Sequence, residues 1–262
     1  MAPLPTEAAP PAAPASEAGA KATSAADAAF EALYTSEWEW RRSLWGPDED
    51  NPQDTPALPD VGPEAQAEKL ARWSKVKAKL ARIDTAALSR ENQINYAVYA
   101  NQIDALLTEQ QYRDYEKPFN ADTSFWGNLA ARVREPVKDE PGARAMVAML
   151  RDIPRYYDQQ IANMRAGIAR GFTAPRVTLA GRDEGIAQVI AAGASEENVF
   201  FAPFAHLPDT IPQATRTQIE ADALRVIKAD VIPAHGKLLA FLRNEYTPAA
   251  RTSLGADKLP DG

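Results

Sequence analysis

The sequence predicts an all-α fold, an irregular, elongated bundle of about six to eight helices, some of them kinked at proline. Apolar residues recur at three- to four-residue spacing through several long segments. Proline, glycine and small capping residues mostly fall at the ends of those segments. No stretch alternates apolar and polar residues for long enough to make a strand, and no period repeats along the chain.

The elements follow in order. Met1 to Thr23 is mostly Ala, Pro, Glu and Ser, too poor in large apolar groups to bury surface, and is expected to be a disordered arm (1–23). Ser24, with Asp27 three residues on, is placed to cap a first helix carrying Phe30, Leu33, Tyr34, Trp38 and Arg41. That helix ends before Gly46-Pro47, and a Pro- and Asp-rich loop runs to Pro63, which suits the first turn of the next helix. There Leu70, Trp73, Val76, Leu80 and Ile83 form an apolar stripe, and Lys69, Lys75, Lys77 and Lys79 are expected on the solvated face.

Ser89 should cap a long helix reaching about Tyr115. Tyr96, Tyr99, Ile103, Leu106 and Leu107 make its main stripe, while Ile94 and Val98 suggest a second covered face. Thr123 to Val133 reads as a short amphipathic piece with Phe125 and Trp126. Pro141 opens the clearest helix, in register from Met146 to Ile168, with Pro154 inside it and Gly171 as its stop. A shorter helix passes Val189 and ends near Gly193. An aromatic loop from Phe200 to Leu207 should plug a core. A last long helix from about Asp209 to Tyr246 should bend at Pro233. The helical domain thus spans 24–247, and 248–262 is read as an irregular, truncated tail.

Composition narrows the function classes. The formal net charge is −7, which argues against a nucleic-acid partner. No apolar run approaches the roughly 20 residues of a membrane span. The amino terminus lacks the basic and apolar regions of a signal peptide, so a periplasmic or exported location would need a signal upstream. With no cysteine there is neither a disulfide framework nor a thiolate metal site.

Chemistry-bearing motifs are sparse. Two histidines occur, His206 and His235, and they are too far apart in sequence to form the helical His-Glu-x-x-His pair that holds zinc. Each is better explained as a packed histidine making one hydrogen bond than as a ligand. Glu37 and Glu39, two apart on a helix, point to different faces and are read as surface charges or as partners of Arg41 and Arg42. No catalytic residue and no metal ligand is assigned. The candidate residues of a cleft or substrate wall are Phe125, Trp126, Phe201, Phe204 and His206, with core packing the stronger reading for the aromatic ones.

Several segments, in order, resemble one bacterial family. They are Glu37-Trp38-Glu39-Trp40-Arg41, Asn95-Tyr96, Tyr156-Tyr157, Gly171-Phe172-Thr173-Ala174-Pro175-Arg176-Val177 and Phe200-Phe201-Ala202-Pro203-Phe204. Val231-Ile232-Pro233-Ala234, Leu239 to Tyr246 and Leu259-Pro260-Asp261-Gly262 complete the set. The chain resembles the DUF885 proteins, which are similar to helical zinc metallopeptidases. The resemblance implies zinc for complete members, held by a downstream histidine segment that matches no position here. No cofactor is therefore expected in this chain. It implies an amino-terminal, cleft-forming portion of a peptidase, inactive by itself, whose partners are a peptide substrate and the missing carboxyl-terminal half. A non-enzymatic helical interaction module is the alternative. A hydrolase with an unrecognised carboxylate site is the weakest reading.

Overall fold

A computed structural model describes residues 24–45 and 57–260. The expected disordered arm and most of the Pro- and Asp-rich loop lie outside the described residues. Everything described is helix, turn or loop; the sole sheet-like feature among these residues is an isolated bridge between Phe119 and Ser124.

Three helices form a small unit: α1 (Ala25–Trp45), α2 (Pro63–Leu80) and α3 (Arg90–Gln111). Ser24 Oγ accepts from the Asp27 amide, as a cap should, and also donates to the Ala87 carbonyl. Asp27 reaches across to α3 instead of back along α1. Its carboxylate accepts from the Ser89 amide and hydroxyl and from Asn92, and the Ser89 amide above all holds it well below the usual carboxylate range. Phe30, Trp73, Val76, Leu80, Tyr99, Ile103 and Leu107 make the core of this unit.

Three sequence expectations need correction here. Lys69 is 6% exposed, not solvated, because it lies in register with Trp73, Val76 and Leu80 on the buried side of α2. Ile94 and Val98 are 54% and 67% exposed, so α3 is covered on one side only. Glu37 has the expected partner Arg41, at 3.2 Å, but is no surface charge: it is 1% exposed and accepts from Trp73 Nε1 at 2.9 Å and Tyr99 Oη at 3.1 Å. Helix α3 also stops at Gln111, short of Tyr115, since Arg113 takes a left-handed conformation (φ 57°) and a 3₁₀ turn, Asp114–Glu116, follows.

The larger unit surrounds α5 (Glu140–Ala169), a helix of 30 residues. Asp139 caps it, and the chain leaves it by a Schellman turn: the Phe172 amide donates to the Gly167 carbonyl and the Gly171 amide to that of Ile168, with Gly171 at φ 76°. Around α5 pack α4 (Phe125–Arg132), α6 (Glu184–Ala192), the 3₁₀ segment Val199–Phe204, and a rod made of α7 (Gln213–Val226), α8 (Ile232–Phe241) and α9 (Thr247–Ala249). The rod begins at Gln213, later than Asp209, and Pro233 acts through local widening. π turns at Ile227–Val231 and Leu242–Tyr246 join its parts. In each, an amide bonds the carbonyl five residues back, Ile232 to Ile227 and Thr247 to Leu242. Pro233 and Pro248 cannot donate to Ala229 and Asn244, and their rings crowd those carbonyls. Widening the turn that holds each carbonyl relieves the crowding.

The tail is irregular yet tethered. Arg251 donates to the Thr173 carbonyl at 2.9 Å, the Arg176 amide to Arg251, and the Ala174 amide to the buried Tyr246 hydroxyl.

Candidate functional site

The small unit is clipped to α5 at two places. At one, Arg155 donates to the Leu58 and Pro59 carbonyls, Gln159 accepts from the Val61 amide at 3.1 Å, and Asn163 donates to the Val61 carbonyl at 2.8 Å. At the other, Arg170 pairs with the buried Glu116 and donates to the Tyr112 carbonyl at 2.6 Å. Gly167 makes this seat possible: a Cβ there would lie 2.7 Å from the Glu116 carbonyl oxygen and 2.8 Å from that of Phe172.

Between the clips lies a cleft of about 550 Å³, walled by α2 and α3 on one side and by α4 and α5 on the other. Trp73, Leu106, Phe119, Phe125 and Leu129 give it apolar surface. Several of its polar groups are buried, among them Gln66, Lys69, Tyr156 and Gln160. Gln66 donates to the Val61 carbonyl, but its Oε1 has no partner, and neither does Gln110 Oε1. Arg132 donates through Nη1 to the Ala57 carbonyl at 3.2 Å, while its Nη2 is shielded from water and unpaired. Burial pushes this guanidinium below its ordinary range. Tyr156 accepts from Gln160 Nε2 at 3.0 Å, and burial raises its hydroxyl, so its proton is retained and free to donate. Burial likewise lowers the Lys69 ammonium, opposed by Asp60, and burial followed by Asp114 raises the Glu109 carboxyl. This lining offers donors, acceptors and apolar surface together.

A smaller pocket of about 340 Å³ between the starts of α4 and α6 shares Thr123, Ser124 and Asn128 with the cleft and has His235 at its base. His235 is 1% exposed. The Val231 carbonyl can only accept, so Nδ1 carries the proton and donates to it at 2.8 Å; Nε2 then accepts from the Tyr157 hydroxyl at 3.1 Å. Burial pushes the imidazole down to about 4, and the ring is neutral at pH 7.

The zinc that the family resemblance implies does not fit the residues present. Both nitrogens of His235 are engaged inside the core, His206 stands on the surface, and no group of three or more His, Asp or Glu among the described residues could hold a metal ion.

Of the residues the sequence points to, Phe125 lines the cleft. Trp126 packs on it edge to face with ring centroids 5.0 Å apart and borders the smaller pocket. Phe201 and Phe204 are buried in the larger core and line neither cavity, and His206 is exposed away from both. Sequence reasoning missed Gln66, Lys69, Arg132, Tyr156 and Gln160. The register of Gln66 and Lys69 with Trp73 was a readable signal, and so was that of Tyr156 and Gln160 with Ile153. Arg132, at the very end of α4, had none.

Among solved structures the fold is similar to that of "the putative lipoprotein from Colwellia psychrerythraea", with a TM-score of 0.73 at 16% identity over 90% of this chain. The chain spans 43% of the length of that structure. No curated protein matches the sequence. The family model described as "Bacterial protein of unknown function (DUF885)" matches residues 42–262, and the chain belongs to that family.

Proposed function

We propose that this chain is the amino-terminal, cleft-forming portion of a DUF885-type zinc-dependent peptidase, and that its cleft binds and selects peptide. The cleft carries the reading. It is long enough to be walled by four helices, and its buried donors and acceptors beside aromatic surface match an extended peptide, which presents amide groups and side chains in turn. In this reading the hydrolytic metal site belongs to a carboxyl-terminal partner half, and the chain by itself binds peptide without cleaving it. Similarity to a protein described as a lipoprotein supports an exported location for the whole protein, and among the described residues no helix is long and apolar enough to cross a membrane.

The test is to mix the purified chain with a pool of short peptides, with and without added zinc, following binding by calorimetry and cleavage by mass spectrometry. Saturable binding without cleavage, and less than about 0.1 zinc retained per chain, is the expected result. Chelator-sensitive cleavage by this chain would overturn its assignment as inactive. Absence of any peptide binding would overturn the cleft's role.

A second reading, a non-enzymatic helical interaction module, draws on Tyr34 and Trp38 on α1 and on Ile94 and Val98 on α3, pairs one turn apart that stand exposed.

A further inference from the structure

We propose that the cleft holds its ligand by a carboxylate, received by Arg132 at the α4 edge of the cleft floor. The inference rests on the peptide-binding reading above and adds the chemical class that the site selects.

Arginine cannot escape burial by losing its proton. Arg132 nevertheless has half of its fork, Nη2, shielded from water and unpaired, and among the described residues no carboxylate forms an ion pair with it. Leaving a shielded charged donor unsatisfied is costly; a turn of the half-buried side chain brings Nη2 to the cleft surface, and the group that satisfies it best there is a planar anion. Tyr156 lines the same cleft, and its hydroxyl, which accepts from Gln160 and keeps its proton, supplies a second donor. On the α2 and α3 side the unpaired oxygens are acceptors, Gln66 Oε1 and Gln110 Oε1, suited to the N–H groups of a peptide and ill suited to an anion. The two sides of the cleft therefore differ: Arg132 and Tyr156 offer donors on the floor, while the opposite side sets the oxygens of Gln66 and Gln110 and the carboxylates of Glu109 and Asp114 beside the already partnered Lys69, with Phe125 and Leu129 between them for an apolar side chain. A peptide's terminal carboxylate and an acidic side chain share the chemistry that this arrangement accepts.

The experiment titrates the whole chain with three N-acetylated tetrapeptides of the same apolar residues: one ending as the free acid, one as the amide, and one as the amide with an internal glutamate. The carboxylate-bearing peptides should bind at least about tenfold tighter than the neutral amide, the ratio expected when a charged partner completes a buried charge. Preference for the free acid assigns the terminal carboxylate, and preference for the internal glutamate assigns the side chain. Arg132→Gln should erase the difference and Arg132→Lys keep part of it, with thermal unfolding of each variant checked first. If a variant does not fold, the acid-to-amide ratio of the unaltered chain decides alone. Equal binding of all three peptides would overturn the carboxylate inference while the peptide-binding reading stands. Binding of none would overturn both.

Discussion

At the scale of single residues, burial assigns roles that residue type alone does not. Glu37 and Glu39 look equivalent in the sequence, yet Glu37 is sealed between Trp73, Tyr99 and Arg41 while Glu39 is exposed. Burial, reinforced by Glu37, raises the Tyr99 hydroxyl so that it stays a donor. His235 has the clearest measurable consequence. Its folded value of about 4 lies below the ordinary imidazole value of 6.5, so the unfolded chain binds the proton more readily. The stability from the neutral ring is fully present above pH 6.5 and is lost as the pH falls toward 4, by about 3 kcal/mol in all. Urea unfolding at pH 7 and pH 4 should therefore show a larger loss for the unaltered chain than for His235→Gln, by about that amount. Equal losses would mean that the imidazole is not held neutral by the fold.

At the scale of elements, the helices behave as their local chemistry directs. Ser89, Ser124 and Asp139 each accept from an amide of the first turn, and Pro63 begins α2. The two π turns show one response to one constraint, since each precedes a proline by the same spacing. Glycines within helices separate into opposite cases. A Cβ on Gly236 in α8 would meet nothing within 4 Å, whereas one on Gly167 in α5 would press on two backbone carbonyls. Gly236→Ala should stabilise the protein by about 0.5–1 kcal/mol through helix propensity. Gly167→Ala should destabilise it by about 1–3 kcal/mol, because backbone cannot yield as a flexible side chain does. Thermal unfolding of the two variants reads both signs.

At the scale of the whole molecule, two separate apolar cores are joined through clips and not through one continuous interior. The cleft lies beside these contacts: α5 touches the small unit at Arg155 to Asn163 and at Gly167 to Arg170, and the face that carries Tyr156 and Gln160 is left facing α2 and α3 across open space. Weakening both clips should loosen the small unit before the large one. In the double variant Arg155→Ala, Arg170→Ala, amide hydrogen exchange should quicken across α2 and α3, while α5 and α8 keep their protection. Uniform loss of protection would show instead that the two units unfold as one.

The sequence by itself determined the all-α class, the order of the helices, most of their ends and the resemblance to DUF885. All of these rest on contacts within a few residues: an apolar stripe, a capping hydroxyl, a proline or a glycine. Several segments that carried the resemblance have structural roles: Gly171 in its left-handed turn, Val231-Ile232-Pro233 at a π turn, and Phe200, Phe201 and Phe204 packed in the core. Only the tertiary structure decided which polar residues face the cleft. Lys69, Gln66, Arg132 and Tyr156 line one cleft because separate elements meet around them, while Phe201, Phe204 and His206 stay apart from it. A side chain's burial depends on what lies opposite it. That partner is distant in sequence, so a local pattern such as the register of Gln66 and Lys69 with Trp73 marks a residue as inward-facing without naming what it faces.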